Sequence, residues 1–249
     1  MRLALVTCPQ LPEGTPDDAV LLPHLRAAGF QPEFVSWDDE TTDWRAFRAV
    51  VVRSTWDYHA RPRRFLRWIE HCAETGIALW NPPRVLRWNH HKRYLRDLAE
   101  HGVPVVETEW LERGRPSDLA ELLRHRGWDV AVVKPAVSAG ARRTRTVRST
   151  EAGAEQPVLD RMLRSGDVLV QPFLEAVVGE GEWSLIFFGG ELSHAILKRP
   201  AAGDFRVQER FGGTVEAATA PGWMTEQAAA VLEAVEVLGG AEGDLLYAR

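Results

Sequence analysis

The sequence predicts an α/β protein that turns to α+β in its later lobes, and three observations carry that prediction. Over the first eighty or so residues, short apolar runs at 3–7, 31–37, 47–53 and 77–80 alternate with two helical patterns, as in a parallel sheet covered on both faces. From 88 to 174, helical patterns stand against a few separated strands. After 175 the rhythm becomes period two, with a hairpin turning at Gly189-Gly190. These shifts place lobes at 1–87, 88–174 and 175–249.

Each element has its own justification. The first helix takes Thr15 as N-cap, Pro16 at its first position and Gly29 after its end, while Pro23 predicts a kink or a shorter helix. The second, over 62–75, puts Phe65, Leu66, Trp68, Ile69 and Cys72 on one face before Gly76. Asn81-Pro82-Pro83 stops the strand at 77–80. A helix over 89–101 carries Lys92, with Gly102 as its stop, and a strand spans 103–111. Ser117 is the expected cap of a helix bearing Leu119, Leu122 and Leu123 and ending at Gly127. A β-branched run then ends at Lys134-Pro135, and a helix around Val158, Leu159, Met162 and Leu163 closes at Gly166. Strands follow at 168–173, 182–188, 191–198 and 205–208. On the third of these, Leu192, His194, Ile196 and Lys198 share one face, and His194 reads as packing rather than chemistry. Thr225 is the expected cap of a helix with Ala228, Val231, Leu232, Val235 and Leu238 buried, and a last strand begins at 244.

Composition excludes several classes. A net charge of −5 argues against general nucleic-acid binding. No apolar run approaches the roughly 18 residues that cross a bilayer, and the N-terminus runs straight into a strand, so a cytoplasmic protein is expected. Cys8 and Cys72 have no ligand-spaced neighbours and read as reduced thiols rather than a zinc site. Of the 30 basic residues, only Lys92, Lys134 and Lys198 are lysine. A chain that otherwise uses arginine keeps lysine where a compact ammonium differs in effect from a planar guanidinium.

Two stretches point to chemistry. After Lys134 come Ser138, Gly140 and other small residues, then Arg142, Arg143 and Arg145. Small side chains let backbone N–H groups approach an anion, and the cations add field; the alternative is a basic turn on a solvated surface. The loop matches neither a Walker motif nor G-x-G-x-x-G. The second stretch is Arg53, Trp56 and Asp57, at the carboxyl end of a predicted parallel strand, where open sheets bind ligands. Arg53 suits a carboxylate and Asp57 an amine, against the alternative of a capped turn with Trp56 filling a gap.

Taken together and in order, Arg53-Ser54-Thr55-Trp56-Asp57, Lys92, Val132-Val133-Lys134-Pro135, Gln171-Pro172-Phe173-Leu174, Glu182, Lys198, Asp204-Phe205-Arg206 and Gly212-Gly213 resemble the ATP-grasp superfamily. The likeness is to its glutathione-synthetase-like carboxylate–amine ligases, in the branch that includes the cyclising enzyme of cycloserine biosynthesis. The resemblance implies an N-terminal parallel α/β lobe, a small central lobe and a C-terminal antiparallel lobe, with ATP between the later two. It implies that Lys92 and Lys134 bind phosphates under a lid that includes Ser138 and Gly140. It implies that Gln171, Phe173 and Leu174 border adenine and that Glu182 accepts from the ribose. Lys198 and Arg206 would face the transferred phosphoryl group, and Arg53, Trp56, Asp57, Gly212 and Gly213 the substrate. The implied reaction activates a carboxylate as an acyl phosphate for attack by an amine-type nucleophile.

In that family, acids on the strand begun at 245 and on the next one hold Mg²⁺. The sequence ends at Arg249, so the expectation is a shortened ligase with its Mg²⁺ ligands beyond that residue and no metal ligand within it. The other readings are an ATP-binding module without turnover and an α/β enzyme acting on another phosphorylated metabolite. A homodimer is left open.

Overall fold

In the computed structural model, which describes residues 1–239 and 247–248, β1 (Arg2–Thr7) lies inside a four-stranded parallel sheet. The helix α1 (Pro16–Ala27) follows it, then β2 (Gln31–Ser36), β3 (Ala49–Val52), α2 (Pro62–Glu74), β4 (Leu79–Trp80) and α3 (Pro83–Asn89). The strand order is β2-β1-β3-β4, with Leu5 opposite Phe34 on one side and Val51 on the other. The chain therefore reverses direction across the sheet between β1 and β3, which opens a crevice beyond their carboxyl ends. Ala4, Val6 and Val50 from the strands pack with Phe65, Ile69 and Cys72 from α2, and Trp37 meets Phe65 edge-on at 5.3 Å. Burial pushes the Cys72 thiol up to about 12, which suits an inert core residue.

The elements that follow are α4 (Tyr94–Glu100), β5 (Glu109–Leu111), α5 (Leu119–Arg126), β6 (Val130–Pro135), β7 (Arg145–Arg148), α6 (Ala152–Ser165) and β8 (Val168–Pro172). The sheet β5-β8-β6-β7 is antiparallel, and α5 and α6 cover one face through Leu119, Leu123, Leu159 and Leu163. Then come α7 (Glu175–Gly179), β9 (Glu182–Phe188), β10 (Glu191–Arg199), β11 (Thr214–Ala218), α8 (Gly222–Gly239) and β12 (Tyr247–Ala248). The third sheet has the order β11-β10-β9-β12. The α/β class with α+β later elements is thus observed. No helix among the described residues is long and apolar enough to cross a membrane.

By compactness the chain forms two units. One comprises Met1–His90, Phe187–Glu191 and Leu232–Ala248; the other contains His91–Ile186 and Leu192–Val231. Within the first, Leu232 and Val235 pack on Val85.

Several local expectations are corrected. Helix α1 continues through Pro23 to Ala27, because that proline is exposed and removes a single donor from the ladder. The helix expected over 89–101 shortens to α4, a separate helix α3 precedes it over Pro83–Asn89, and Lys92 lies in the turn between them. The Lys92 N–H leaves the helical pattern to donate to Ala136 O at 2.9 Å. The strand expected over 103–111 shrinks to β5; the Val103 N–H is used by Leu98 O, and Pro104 has none. Asp118, not Ser117, caps α5, with Oδ1 accepting from the Glu121 N–H at 2.8 Å.

No strand forms at 205–208. Asp204 Oδ1 accepts from the Phe205 and Arg206 N–H groups at 2.7 and 2.9 Å, and this local closure outcompetes a sheet ladder. The strand beside β10 is instead β11, with Val215 opposite Lys198. Thr225 lies inside α8, because the Pro221 carbonyl already accepts from the Met224 and Thr225 N–H groups. His194 is exposed rather than packed, its Nδ1 3.1 Å from Ser193 Oγ. Of the last predicted strand, Tyr247–Ala248 form β12, while 244–246 and 249 lie outside the described residues.

Candidate functional site

Strand β6 sorts its side chains by the period of two. Ala131 and Val133 enter the core under α5 and α6, so Val132 and Lys134 face the other way. Gln171 stands opposite Val132 on β8 and shares that face. These residues form one wall of a cavity of about 410 Å³. Lys92, Ser138, Gly140, Phe173, Leu174, Glu182, Phe205, Arg206 and Gln208 complete much of the lining. That volume falls within the roughly 300–1,000 Å³ range of ligand pockets.

The cavity carries two ammonium groups. Lys92 Nζ donates to Ser138 O at 3.0 Å and to Ser138 Oγ at 2.9 Å, which ties it to the loop after β6. Burial pushes its pKa down to about 8, and the positive charge of Lys134 pushes the same way. Burial also lowers the pKa of Lys134, against the opposing influence of Glu182. Among the described residues, Lys134 Nζ makes no hydrogen bond or ion pair. Two cations kept partly desolvated and close together are held against their own preference, a state that an anionic ligand relieves.

The loop itself has a special backbone. Gly140 has φ +56°, and Ala141 and Arg143 adopt the left-handed region at +53° and +57°. The positive φ favours glycine at 140, where an added Cβ would come 3.0 Å from the flexible end of Arg210, at Nη2.

The lining also includes aromatic and apolar side chains. Phe173 and Phe205 meet edge-on at 6.2 Å. The Phe173 N–H donates to Val130 O at 3.0 Å; among the described residues no acceptor stands against the Leu174 N–H. Gln171 is buried and its Nε2 donates to Thr108 Oγ1 at 2.7 Å. Gln208 Oε1 is buried without a donor, an acceptor whose partner is absent among the described residues.

Arg206 is held by Asp204, with Nη2 to Oδ2 at 2.7 Å, and its guanidinium lies 3.7 Å from the centroid of Phe211. The neighbouring Arg206 guanidinium and the backbone donors hold the Asp204 carboxyl well below the usual carboxylate range. Lys198 is not part of the lining. It is 7% exposed, and its ammonium donates to Glu182 Oε1 at 2.9 Å and Ser184 Oγ at 2.8 Å. Gly212 ends a short 3-10 turn at φ +82°. Gly213 presses its Cα against Val207, whose carbonyl oxygen would lie 2.2 Å from an added Cβ. That approach alone requires glycine.

Arg53, Trp56 and Asp57 belong to the other unit, just beyond β3. Arg53 Nε donates at 2.8 Å to Asp18, which also accepts from Ser54 Oγ, Thr15 N–H and Thr15 Oγ1. Asp57 accepts from Trp37 Nε1 at 2.7 Å and from Arg61 Nη2 at 2.6 Å. Trp56 is 58% exposed.

Sequence reasoning missed Phe205 and Gln208 as lining residues because it assigned them to a strand. It missed Arg61 and Asp18 because nothing in their local patterns marks them as partners of Asp57 and Arg53. No group of three or more His, Cys, Asp or Glu side chains among the described residues could hold a metal ion.

Comparisons with known proteins bear on the family and the fold. Residues 3–81 match the family model of the D-cycloserine synthetase DcsG N-terminal domain. The cycloserine biosynthesis protein DcsG of Streptomyces lavendulae is 36% identical over 182 residues, covering 72% of this chain and 60% of that protein. The match therefore spans less than two thirds of that relative's length. The crystal structure of D-cycloserine synthetase DcsG superposes with a TM-score of 0.86 at 34% identity, covering 96% of this chain and 82% of the other. The D-alanine–D-alanine ligase of Bacillus anthracis shares the fold, with a TM-score of 0.69 at 13% identity over 99% of this chain and 80% of its own. The chain belongs to the D-cycloserine synthetase DcsG family and has the fold of the ATP-grasp ligases.

Proposed function

We propose that the chain is an ATP-dependent ligase that activates a small amino-acid-like carboxylate as an acyl phosphate for attack by an amine-type nucleophile. The observation that carries this reading is one cavity lined both by two desolvated lysines and by the apolar side chains of Phe173, Leu174 and Phe205. ATP combines the complementary parts, about four negative charges on its triphosphate and a flat, uncharged base. Lys92 and Lys134 neutralise phosphate oxygens, Ser138 and Gly140 bring backbone close to them, and the Leu174 N–H donates to the base. Phe173 and Gln171 border it, and Glu182 accepts from the ribose hydroxyls.

In the reaction a carboxylate oxygen attacks the γ-phosphorus, the bond to the bridging oxygen breaks, and ADP leaves. The nucleophile then adds to the acyl carbon and inorganic phosphate departs. Arg206, oriented by Asp204, stabilises the charge that builds during these steps. Lys198 contributes through Glu182 in the arrangement described. Arg53, Trp56, Asp57, Gly212 and Gly213 are assigned to substrate recognition. The related ATP-grasp ligase PsnB has been crystallised with Mg and ADP. Magnesium belongs to the reading for that reason, but no ligand for it is assigned among the described residues, and no step here is routed through it. A cytoplasmic location follows from the need for ATP.

The test is hydroxylamine trapping. With ATP, Mg²⁺ and a panel of small amino-acid-like carboxylates, one acyl hydroxamate is expected for each ADP released. ADP release without any hydroxamate, across a panel that does accelerate it, would rule out the acyl phosphate.

A further inference from the structure

A further cavity on the second unit is larger than the one assigned to ATP. It measures about 780 Å³ and lies on the other side of the loop 141–145, with Arg206 contributing to both cavities. Arg142, Arg143 and Arg145 enter it from the loop, Arg161 and Arg164 from the last turns of α6, and Arg210 from the turn before β11. No aspartate or glutamate is among its described lining residues. Arg145 is answered by Glu155 at 2.8 Å, and Arg206 by Asp204. Among the described residues, the Arg143, Arg161, Arg164 and Arg210 guanidiniums have no carboxylate partner and make no side-chain hydrogen bond. This gathering occurs in a protein of net charge −5. Like charges collected in a concavity repel one another, and exposed cations would spread out if nothing drew them together.

We propose that this arginine-lined cleft is a second anion site, which takes an oligophosphate chain while ATP occupies its own cavity. Guanidinium forks match phosphate oxygens in bidentate fashion, and the hydroxyls of Thr144 and Ser165 in the same lining add single donors. Because Ala141 and Thr144 line both cavities, the loop is their shared wall. An anion on its outer face fixes the backbone that covers the inner one. The occupant is either a free inorganic chain or the phosphate tail of a second nucleotide.

Tripolyphosphate is the probe, titrated by calorimetry into the full chain saturated with ATP and without substrate. One further equivalent should bind, more weakly as salt rises. The double variant Arg161→Ala/Arg164→Ala, altered at two exposed side chains outside the ATP cavity, should weaken tripolyphosphate at least tenfold. Its affinity for ATP should stay within twofold. Raising ATP alone separates the sources: a second equivalent lost in the double variant identifies a nucleotide tail, and a single equivalent identifies the inorganic chain. Tripolyphosphate that displaces ATP instead of adding to it overturns the proposal. So does a double variant that binds tripolyphosphate as wild type does, or binding of polyglutamate where tripolyphosphate is silent. If ATP itself fails to bind, the ligase reading falls. A tripolyphosphate equivalent lost in the double variant would still support the cleft.

Discussion

The lysine cavity of the second unit and the polar cluster beyond β3 both collect charge, yet they handle it in opposite ways. Beyond β3 the cations have acidic partners inside the fold: Arg53 on Asp18, and Arg61 on Asp57 and Asp38. Asp18 is 1% exposed and accepts four hydrogen bonds. In the cavity, burial works against the charge on Lys92 and Lys134, and protein carboxylates do not pair with either ammonium among the described residues. A closed network holds a fold together. Cations left partly desolvated and unanswered have a use only when something anionic arrives. The same residue types thus read as architecture in one place and as a binding site in the other.

The largest expected effect breaks the closed cluster. Asp18→Ala should cost about 3 kcal/mol of stability, because it removes a buried carboxylate that pairs with Arg53 and accepts four hydrogen bonds. The denaturation midpoint should fall while ATP affinity in the surviving folded protein stays unchanged. The cluster also predicts an acid response. Burial alone would raise the Asp18 pKa, but bonds from Ser54, Thr15 and Arg53 outweigh it and leave it lowered. Its stabilisation is complete above the ordinary carboxylate range of about 4 and is lost as pH falls through the lowered folded value. In Asp18→Asn that part of the acid dependence should vanish, which a pH series of melting temperatures would reveal.

The open cavity predicts the reverse pH behaviour, in binding. With Lys92 at about 8 in the free protein, bound phosphate should raise that value. ATP affinity is therefore expected to be full below pH 8 and to fall above it, by up to about tenfold per unit. Lys92→Arg, which keeps its charge throughout, should flatten the profile; an equally steep profile in that variant would assign the titration elsewhere.

A smaller effect concerns Glu182. Glu182→Gln should weaken ATP about fivefold, the loss of about 1 kcal/mol of hydrogen bonding to the ribose, and leave 2′,3′-dideoxy-ATP unchanged. Equal losses for both nucleotides would assign Glu182 to holding Lys198 alone. The smallest effect on stability belongs to the exposed Trp56. Trp56→Ala should shift stability by no more than about 0.5 kcal/mol. If the tryptophan contacts substrate, the variant should raise the KM for substrate and not for ATP.

How far the site was legible follows from the range of the forces that build it. Lys134 could be placed from sequence because a β-branched run and Pro135 fix the end of β6, and period two then turns Lys134 from the core. Lys92 was recognisable as one of three lysines but not in its turn, which depends on a bond to Ala136 far along the chain. Asp204 redirected 205–208 through a local side-chain bond that competes with the ladder, and this concealed Phe205 and Gln208. Lys198 fell on the expected hairpin, yet which carboxylate its ammonium meets depends on the pairing of β9 with β10. The parallel sheet was legible because its buried strands are continuous apolar runs. The closure of Asp57 by Arg61 and Trp37 was not, since the indole comes from another loop.

Calorimetric titration of ATP into the wild-type chain and into Lys134→Ala measures the central claim directly. Lys134 has no structural partner among the described residues, so its loss should leave the melting temperature within a degree or two. ATP should bind at least tenfold more weakly, in keeping with about 1.5–3 kcal/mol for a hydrogen bond to a charged group. Equal ATP affinity in the two proteins would contradict the assignment of the open cavity to nucleotide phosphate.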